Sequence, residues 1–162
     1  MKLFVDEDTG SSIGIALKQV WTDVEWVGNS KHSRIKLGAK DEVWLPFVGT
    51  NGMLVLSRNI NIVEVETQRD LVVSKKVGIV FFPQHLNKLE LLRLILKKWD
   101  WLVSIDSIEA RPFAFLVSAF GRPTRLPLEG SVSRLSRRRK IASLPSSVPA
   151  VKAMAIQPNN SG

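Results

Sequence analysis

Cysteine is absent from the chain, which removes disulfide frameworks, thiol nucleophiles and thiolate zinc sites together. Histidine is scarce: His32 and His85 are the only two, and neither has the partners of a nucleophile system. His32 reads as an exposed loop histidine without a role, phosphate contact being the alternative, and His85 as a local cap or surface residue. No segment approaches the roughly 18 consecutive apolar residues of a membrane span. The amino terminus opens directly on a strand pattern, without a basic region, an apolar core and a small-residue cleavage site, so a secretory signal is not expected. These absences lead to the expectation of a soluble, cytoplasmic protein with no membrane partner.

What is present is an ordinary globular composition, 44% hydrophobic and 23% charged over 162 residues, enough for one substantial core. The net charge of +8 is unevenly placed. Residues 129–162 carry Arg134, Arg137, Arg138, Arg139, Lys140 and Lys152 against Glu129 alone. That segment is rich in Ser, Pro, Arg and Ala without apolar periodicity, so it is expected to be a disordered basic tail that attracts polyanions nonspecifically. Residues 1–128 form the expected domain.

The most pointed feature is the run Leu3-Phe4-Val5-Asp6-Glu7-Asp8, in which three consecutive acids follow an apolar strand. In open α/β sheets ligands gather at the carboxyl ends of strands, and a hard divalent cation needs such oxygens. Two further places repeat the arrangement. Asp41-Glu42 opens the helical pattern Val43-Trp44-Leu45, and the buried-type run Met53-Leu54-Val55-Leu56 continues into Ser57-Arg58-Asn59-Ile60-Asn61.

Along the chain, residues 2–8 read as a buried strand, and Ser11 or Ser12 as the cap of a helix over 13–20. Residues 24–27 alternate as a second strand. Residues 28–40 form a polar, basic loop long enough to be functional. A short helix from Asp41 to about Gly49 and a third strand over 53–57 follow. A helix is expected over 62–76 despite the β-branched Val63, Val65 and Thr67. Residues 77–82 make a fourth strand, stopped by Pro83. From Asn87 the stripe Leu89, Leu92, Ile95, Leu96, Trp99, Leu102 and Val103 predicts one long helix reaching Ile105 or beyond. Residues 113–119 and 124–128 close the domain as a strand pair. Alternating strands and helices predict an α/β fold with a mostly parallel sheet covered on both faces.

The segments Leu3-Phe4-Val5-Asp6-Glu7, Gly38-Ala39-Lys40-Asp41-Glu42-Val43-Trp44 and Leu54-Val55-Leu56-Ser57-Arg58-Asn59, in that order and spacing, resemble the PIN-like nuclease superfamily. They are most similar to its short branch that includes the VapC-like toxins of bacterial type II toxin–antitoxin pairs. The resemblance covers residues 1–128. It implies a three-layer α/β/α domain, a Mg²⁺- or Mn²⁺-dependent endoribonuclease activity on RNA, and a cognate antitoxin that blocks it. By this matching Asp6 and Asp41 fall where metal-ligating acids are expected. Asn59 falls at a catalytic position that is usually Asp, and Asn61 at a second position that is often acidic.

Phosphodiester hydrolysis needs an activated water and stabilisation of charge on the phosphoryl oxygens, which one or two divalent ions provide. Asp6 with Asp41 meets the minimum for one magnesium ion, while Glu7, Asp8 or Glu42 can reach its waters. The Asn59 amide brings no charge, so a second ion is harder to hold unless Glu64 or Glu66 turns inward. Arg58 is the specific phosphate candidate, with Lys31, Arg34, Lys36 and Lys40 as sequence-independent RNA contacts. Other readings stay open: Asp41 is a good N-cap, Glu7 or Asp8 favours a helix amino end, and Asn59 and Asn61 suit turns. Trp44 and Trp99 read as core. Trp101 points away from Trp99, and its exposure would mark a homodimer or antitoxin surface. The counter-hypothesis is a catalytically impaired PIN-like domain that binds RNA or protein.

Overall fold

A computed structural model describes residues 1–29 and 35–129. The elements in chain order are β1 (Leu3–Val5), α1 (Ser11–Lys18), β2 (Val24–Trp26), α2 (Asp41–Thr50), β3 (Leu54–Ser57), α3 (Asn61–Glu64) and α4 (Glu66–Ser74). They continue with β4 (Gly78–Phe81), α5 (Lys88–Lys97), α6 (Trp99–Ile108), β5 (Phe113–Val117) and β6 (Pro123–Leu126). The six strands form one sheet in the order β2-β1-β3-β4-β5-β6, parallel except for the antiparallel β5–β6 pair.

Every residue of β1, β3 and β4 is buried. Parallel strands covered on both sides read this way, as near-continuous apolar runs. Alternate side chains then part to opposite faces. Leu3, Val5, Leu54, Leu56 and Val80 share a core with Ile13 and Leu17 of α1, Leu91, Leu94 and Ile95 of α5, and Leu102 and Ile105 of α6. On the other face Phe4 stacks on Trp44 of α2, with centroids 5.4 Å apart, and meets Phe47 edge-on at 6.4 Å. The result is the expected α/β/α layering, with the terminal strand pair in place.

Helix boundaries depart from the expectations in four places. The helix over 62–76 is two, because Val65 is extended (φ −81°, ψ 124°) and serves as the N-cap of α4; a β-branched residue gives up helical φ/ψ most readily there. The long helix from Asn87 breaks at Lys98 (φ −100°, ψ 8°). Its start is as read: Asn87 and Glu90 form a reciprocal capping box. Gly10 rather than Ser11 or Ser12 occupies the N-cap of α1, and Lys40 rather than Asp41 that of α2. The apolar phase of α5 also differs, since Leu89 and Leu96 are exposed while Leu91 and Leu94 are buried.

Trp101 shares the α6 face of Leu102 and Ile105 and is half-buried, its ring edge-on to Phe115 at 5.5 Å. The expected exposed surface at Trp101 is therefore not there. Trp99 packs on Trp21, and Trp44 is buried, both as read. None of the described helices is long and apolar enough to cross a membrane.

The seat of α2 depends on one small residue. A Cβ at Gly49 would lie 2.2 Å from the Lys75 carbonyl oxygen, a backbone atom that cannot rotate aside. Helix propensity alone favours alanine at such a position. Gly49→Ala is nevertheless expected to destabilise the protein by about 1–3 kcal/mol through overpacking. Urea unfolding measures it, and a variant as stable as the parent would contradict this packing.

Candidate active site

The strand order reverses between β1 and β3: from β1 the chain moves outward to β2, then returns to the other side for β3, β4 and β5. Such a reversal opens a crevice beyond the carboxyl ends of the two strands. Asp6 is the first residue after β1, and Ser57 ends β3. The crevice is therefore lined by the first and third sequence segments that had been singled out.

Asp6 is only 3% exposed. Its Oδ1 accepts from the Thr9 backbone N–H at 2.8 Å, and its Oδ2 accepts from the Ser57 hydroxyl. The Thr9 hydroxyl in turn donates to the Leu56 carbonyl at 3.2 Å. The Ser57 oxygen also accepts from the Asn59 N–H at 2.9 Å. One carboxylate thus stitches the loop after β1 to the end of β3. Burial pushes Asp6 up from the usual 3.8 to about 6, the Ser57 and Thr9 hydrogen bonds pull against that rise, and the charge of Asp8 adds to it.

Asp41 arrives from the other side as the first residue of α2 and is half-buried. Its approach is set in part by Glu7, whose Oε2 accepts from the Gly38 N–H at 2.7 Å and so ties the β1 loop to the segment entering α2. Burial raises Asp41 as well; the Trp44 side chain lowers it through a hydrogen bond, while the charges of Glu42 and Asp8 raise it. Asp8, exposed, is thus the charge felt by both Asp6 and Asp41. Glu42 is exposed on α2.

Beside them a cleft of ≈ 390 Å³ is lined by Asp8, Arg58, Asn59, Asn61 and Gln84. Arg58 holds the Leu86 carbonyl through Nη2 at 3.0 Å, and its Nε is buried with no partner. Gln84 donates to the Arg58 carbonyl at 3.0 Å. The Asn59 amide oxygen accepts from the Asn61 N–H at 3.2 Å, so it closes a turn that leads into α3. Glu66 is exposed on α4, and Glu64 is half-buried on α3. Lys36 and Lys40 are exposed on the approach to α2. Lys31, His32 and Arg34 lie outside the described residues, as does the tail from residue 130; His85 is exposed.

Thr9, Ser57 and Gln84 went unassigned in the sequence reading. Thr9 had a signal, since Asp followed three residues later by Thr suits a side chain-closed turn. Ser57 stood in the third segment of the resemblance but without a role, since its bond to Asp6 forms only across strands, and Gln84 had no signal.

The donor set is all oxygen, which suits a hard cation. No described cation forms an ion pair with Asp6, Asp8, Asp41 or Glu42. Equally, no group of three His, Asp or Glu side chains among the described residues is disposed to hold an ion. The residues therefore fit one divalent ion that takes one or two carboxylates and keeps several waters. They do not fit an acid cage for two.

The raised pKa of Asp6 has a stability consequence. The folded state keeps a proton that the unfolded chain has lost, so the contribution is fully present below about pH 3.8 and is lost as pH rises through about 6. In chelator, Asp6→Asn should match the parent near pH 4 and exceed it at pH 7.5 by on the order of 1–3 kcal/mol. Urea unfolding at both pH values checks this; a variant less stable than the parent at pH 7.5 would contradict it.

A family model described as PIN like domain matches residues 1–84, the span that supplies Asp6, Asp41 and the segment from Ser57 to Gln84. No curated protein and no solved structure gives a match. The matched span runs from β1 through β4 and contains the strand-order reversal with every carboxylate of the crevice. On that match over more than half of its length, the chain belongs to the PIN-like domain family.

Proposed function

We propose that the protein is a divalent-metal-dependent endoribonuclease and acts as the toxin of a type II toxin–antitoxin pair, held in check by a cognate antitoxin protein. The observation that carries the nuclease reading is the buried Asp6 carboxylate at the β1/β3 crevice of a PIN-like domain, a family that generally comprises nucleases. The toxin assignment rests on the likeness of the three sequence segments to the VapC-like branch.

In this reading Asp6 and Asp41 hold a Mg²⁺ or Mn²⁺ ion, with Asn59 assisting and Asp8, Glu42 and Asn61 within reach of its waters. Such an ion, when bound, polarises a phosphoryl oxygen and lowers the pKa of water. Ser57 and Thr9 keep the Asp6 carboxylate aimed, which a ligand held within fractions of an ångström requires. Glu7 is a tether through Gly38, with one carboxylate oxygen engaged there. Arg58, which lines the cleft, is the candidate for contact with an RNA phosphate. Lys31, Arg34, Lys36 and Lys40 add sequence-independent attraction along the segment that leads into α2.

A second reading is a PIN-like module that binds RNA without cutting it. It is favoured by the absence, among the described residues, of any group of three His, Asp or Glu side chains disposed to hold an ion, and by the Asn59 amide being engaged in a turn.

Cleavage of a mixed RNA pool by the purified, antitoxin-free chain separates the two. Cleavage is expected with Mg²⁺ or Mn²⁺, to vanish in chelator, and to fall by at least about 100-fold in Asp6→Asn and in Asp41→Asn. Retention of RNA by folded protein, with no cleavage under either ion, would establish the binding module instead.

A further inference from the structure

Phe120 is 90% exposed, the most exposed large hydrophobic side chain among the described residues. It does not sit on a loose loop. Ser118 N–H donates to the Arg122 carbonyl at 2.9 Å, Gly121 N–H to the Ser118 carbonyl at 2.8 Å, and Arg122 N–H to the Ser118 hydroxyl at 3.0 Å. Gly121 has φ +79°, and a Cβ there would come within 2.9 Å of the Lys98 side chain, so the turn lies against the end of α5. The ring is thus presented outward by a braced hairpin turn.

Next to it is a second cleft of ≈ 440 Å³, whose wall combines Leu86, Leu94 and Ala119 with Arg93 and Lys97. Glu90, the acid of that wall, is engaged in the capping box with Asn87. Arg122 is exposed beside Phe120.

This cleft lies on the same edge of the sheet as Asp6. The strands β1, β3, β4 and β5 are parallel, with Val5 opposite Leu56, Leu56 opposite Val80, and Phe81 opposite Leu116. Three strand spacings separate β1 from β5, about 14 Å. The two clefts meet at residues 84–86: Gln84 lines the first, Leu86 the second, and Arg58 of the first holds the Leu86 carbonyl.

We propose that this second cleft is a substrate subsite in which a base of single-stranded RNA, a few nucleotides from the phosphate at Arg58, stacks on Phe120 while neighbouring phosphates meet Arg93, Lys97 and Arg122. The proposal rests on the ribonuclease reading and extends it to the form of the substrate. An exposed aromatic ring flanked by cations is the pairing that binds single strands, because every base offers a π-face and every linkage a charge. The three exposed cations Arg93, Lys97 and Arg122 against the single acid Glu90 leave the patch net positive, which favours a polyanion. A duplex keeps its base faces stacked internally and has none to offer Phe120.

The test is anisotropy of a short labelled oligouridylate and of a matched RNA duplex, titrated with the full chain in EDTA so that no cutting occurs. Phe120→Ala should weaken binding of the single strand by roughly tenfold, at low and at raised salt alike, and Phe120→Trp should restore it. Duplex affinity should be the same in all three proteins. Equal single-strand affinity in parent and Phe120→Ala, a loss shared equally by the duplex, or no single-strand binding by the parent would each overturn the subsite. So would a dimer in the parent that Phe120→Ala converts to monomer with RNA affinity unchanged, since Phe120 would then be a contact between copies. These readouts are independent of cleavage: Asp6-dependent cleavage with no effect at Phe120 removes the subsite alone, and Phe120-dependent binding without cleavage removes the nuclease reading alone.

Discussion

A carboxylate taken out of water at the end of β1 is the constraint around which this sheet edge is arranged. Burying an acid is costly unless its oxygens find donors, and Asp6 finds them on two different segments, the Thr9 backbone and the Ser57 hydroxyl. Those bonds do not fully offset the burial, as the rise of its pKa to about 6 records. What they do achieve is position. The β1 loop, the end of β3 and the turn at Asn59 all converge on one side chain, through Thr9, Ser57 and the bond between Ser57 and the Asn59 N–H. A group that lowers stability when ionised, yet is held this firmly, is typical of a site kept for chemistry rather than for folding.

The rest of the domain delivers partners to that point. Phe4, on the face of β1 opposite Leu3 and Val5, stacks on Trp44 and fixes α2 against the sheet. Gly49 lets the far end of α2 close on Lys75. With α2 held by these anchors, Asp41 at its start comes near enough to Asp8 to feel its charge, as Asp6 does. Clustered acids without a described counter-cation repel one another, and a divalent ion relieves that repulsion more effectively than a single lysine would.

Much of this was legible because parallel strands buried on both faces leave an unmistakable trace. Leu3-Phe4-Val5 and Leu54-Val55-Leu56 are apolar without alternation, and the polar residues that follow them mark the ligand-binding ends. Asp6 could be picked out from that pattern; Asp41 opens a helix instead, and the choice of Asp41 and Asn59 as site positions rested on the resemblance of the three segments to the PIN-like family. Less legible was anything decided by three-dimensional competition. Val65 and Lys98 break helices whose local patterns continue through them. Trp101 turns inward because Phe115 of β5 offers it a partner that sequence spacing does not reveal. Arg58 was readable as a phosphate candidate, but its commitment of Nη2 to Leu86, which joins two clefts, depends on a contact across 28 positions. The bracing of Phe120 was invisible for the same reason.

The central claim is that the Asp6 carboxylate holds a divalent ion. Calorimetric titration of the purified chain with Mn²⁺ near pH 6, in buffers of different ionisation enthalpy, tests it directly, because an ion that captures a half-protonated acid must expel its proton. The account predicts binding of one ion with a buffer-dependent heat that reports proton release, both lost in Asp6→Asn. Absence of binding by the folded parent, or binding with the same affinity and proton release in Asp6→Asn, would contradict it.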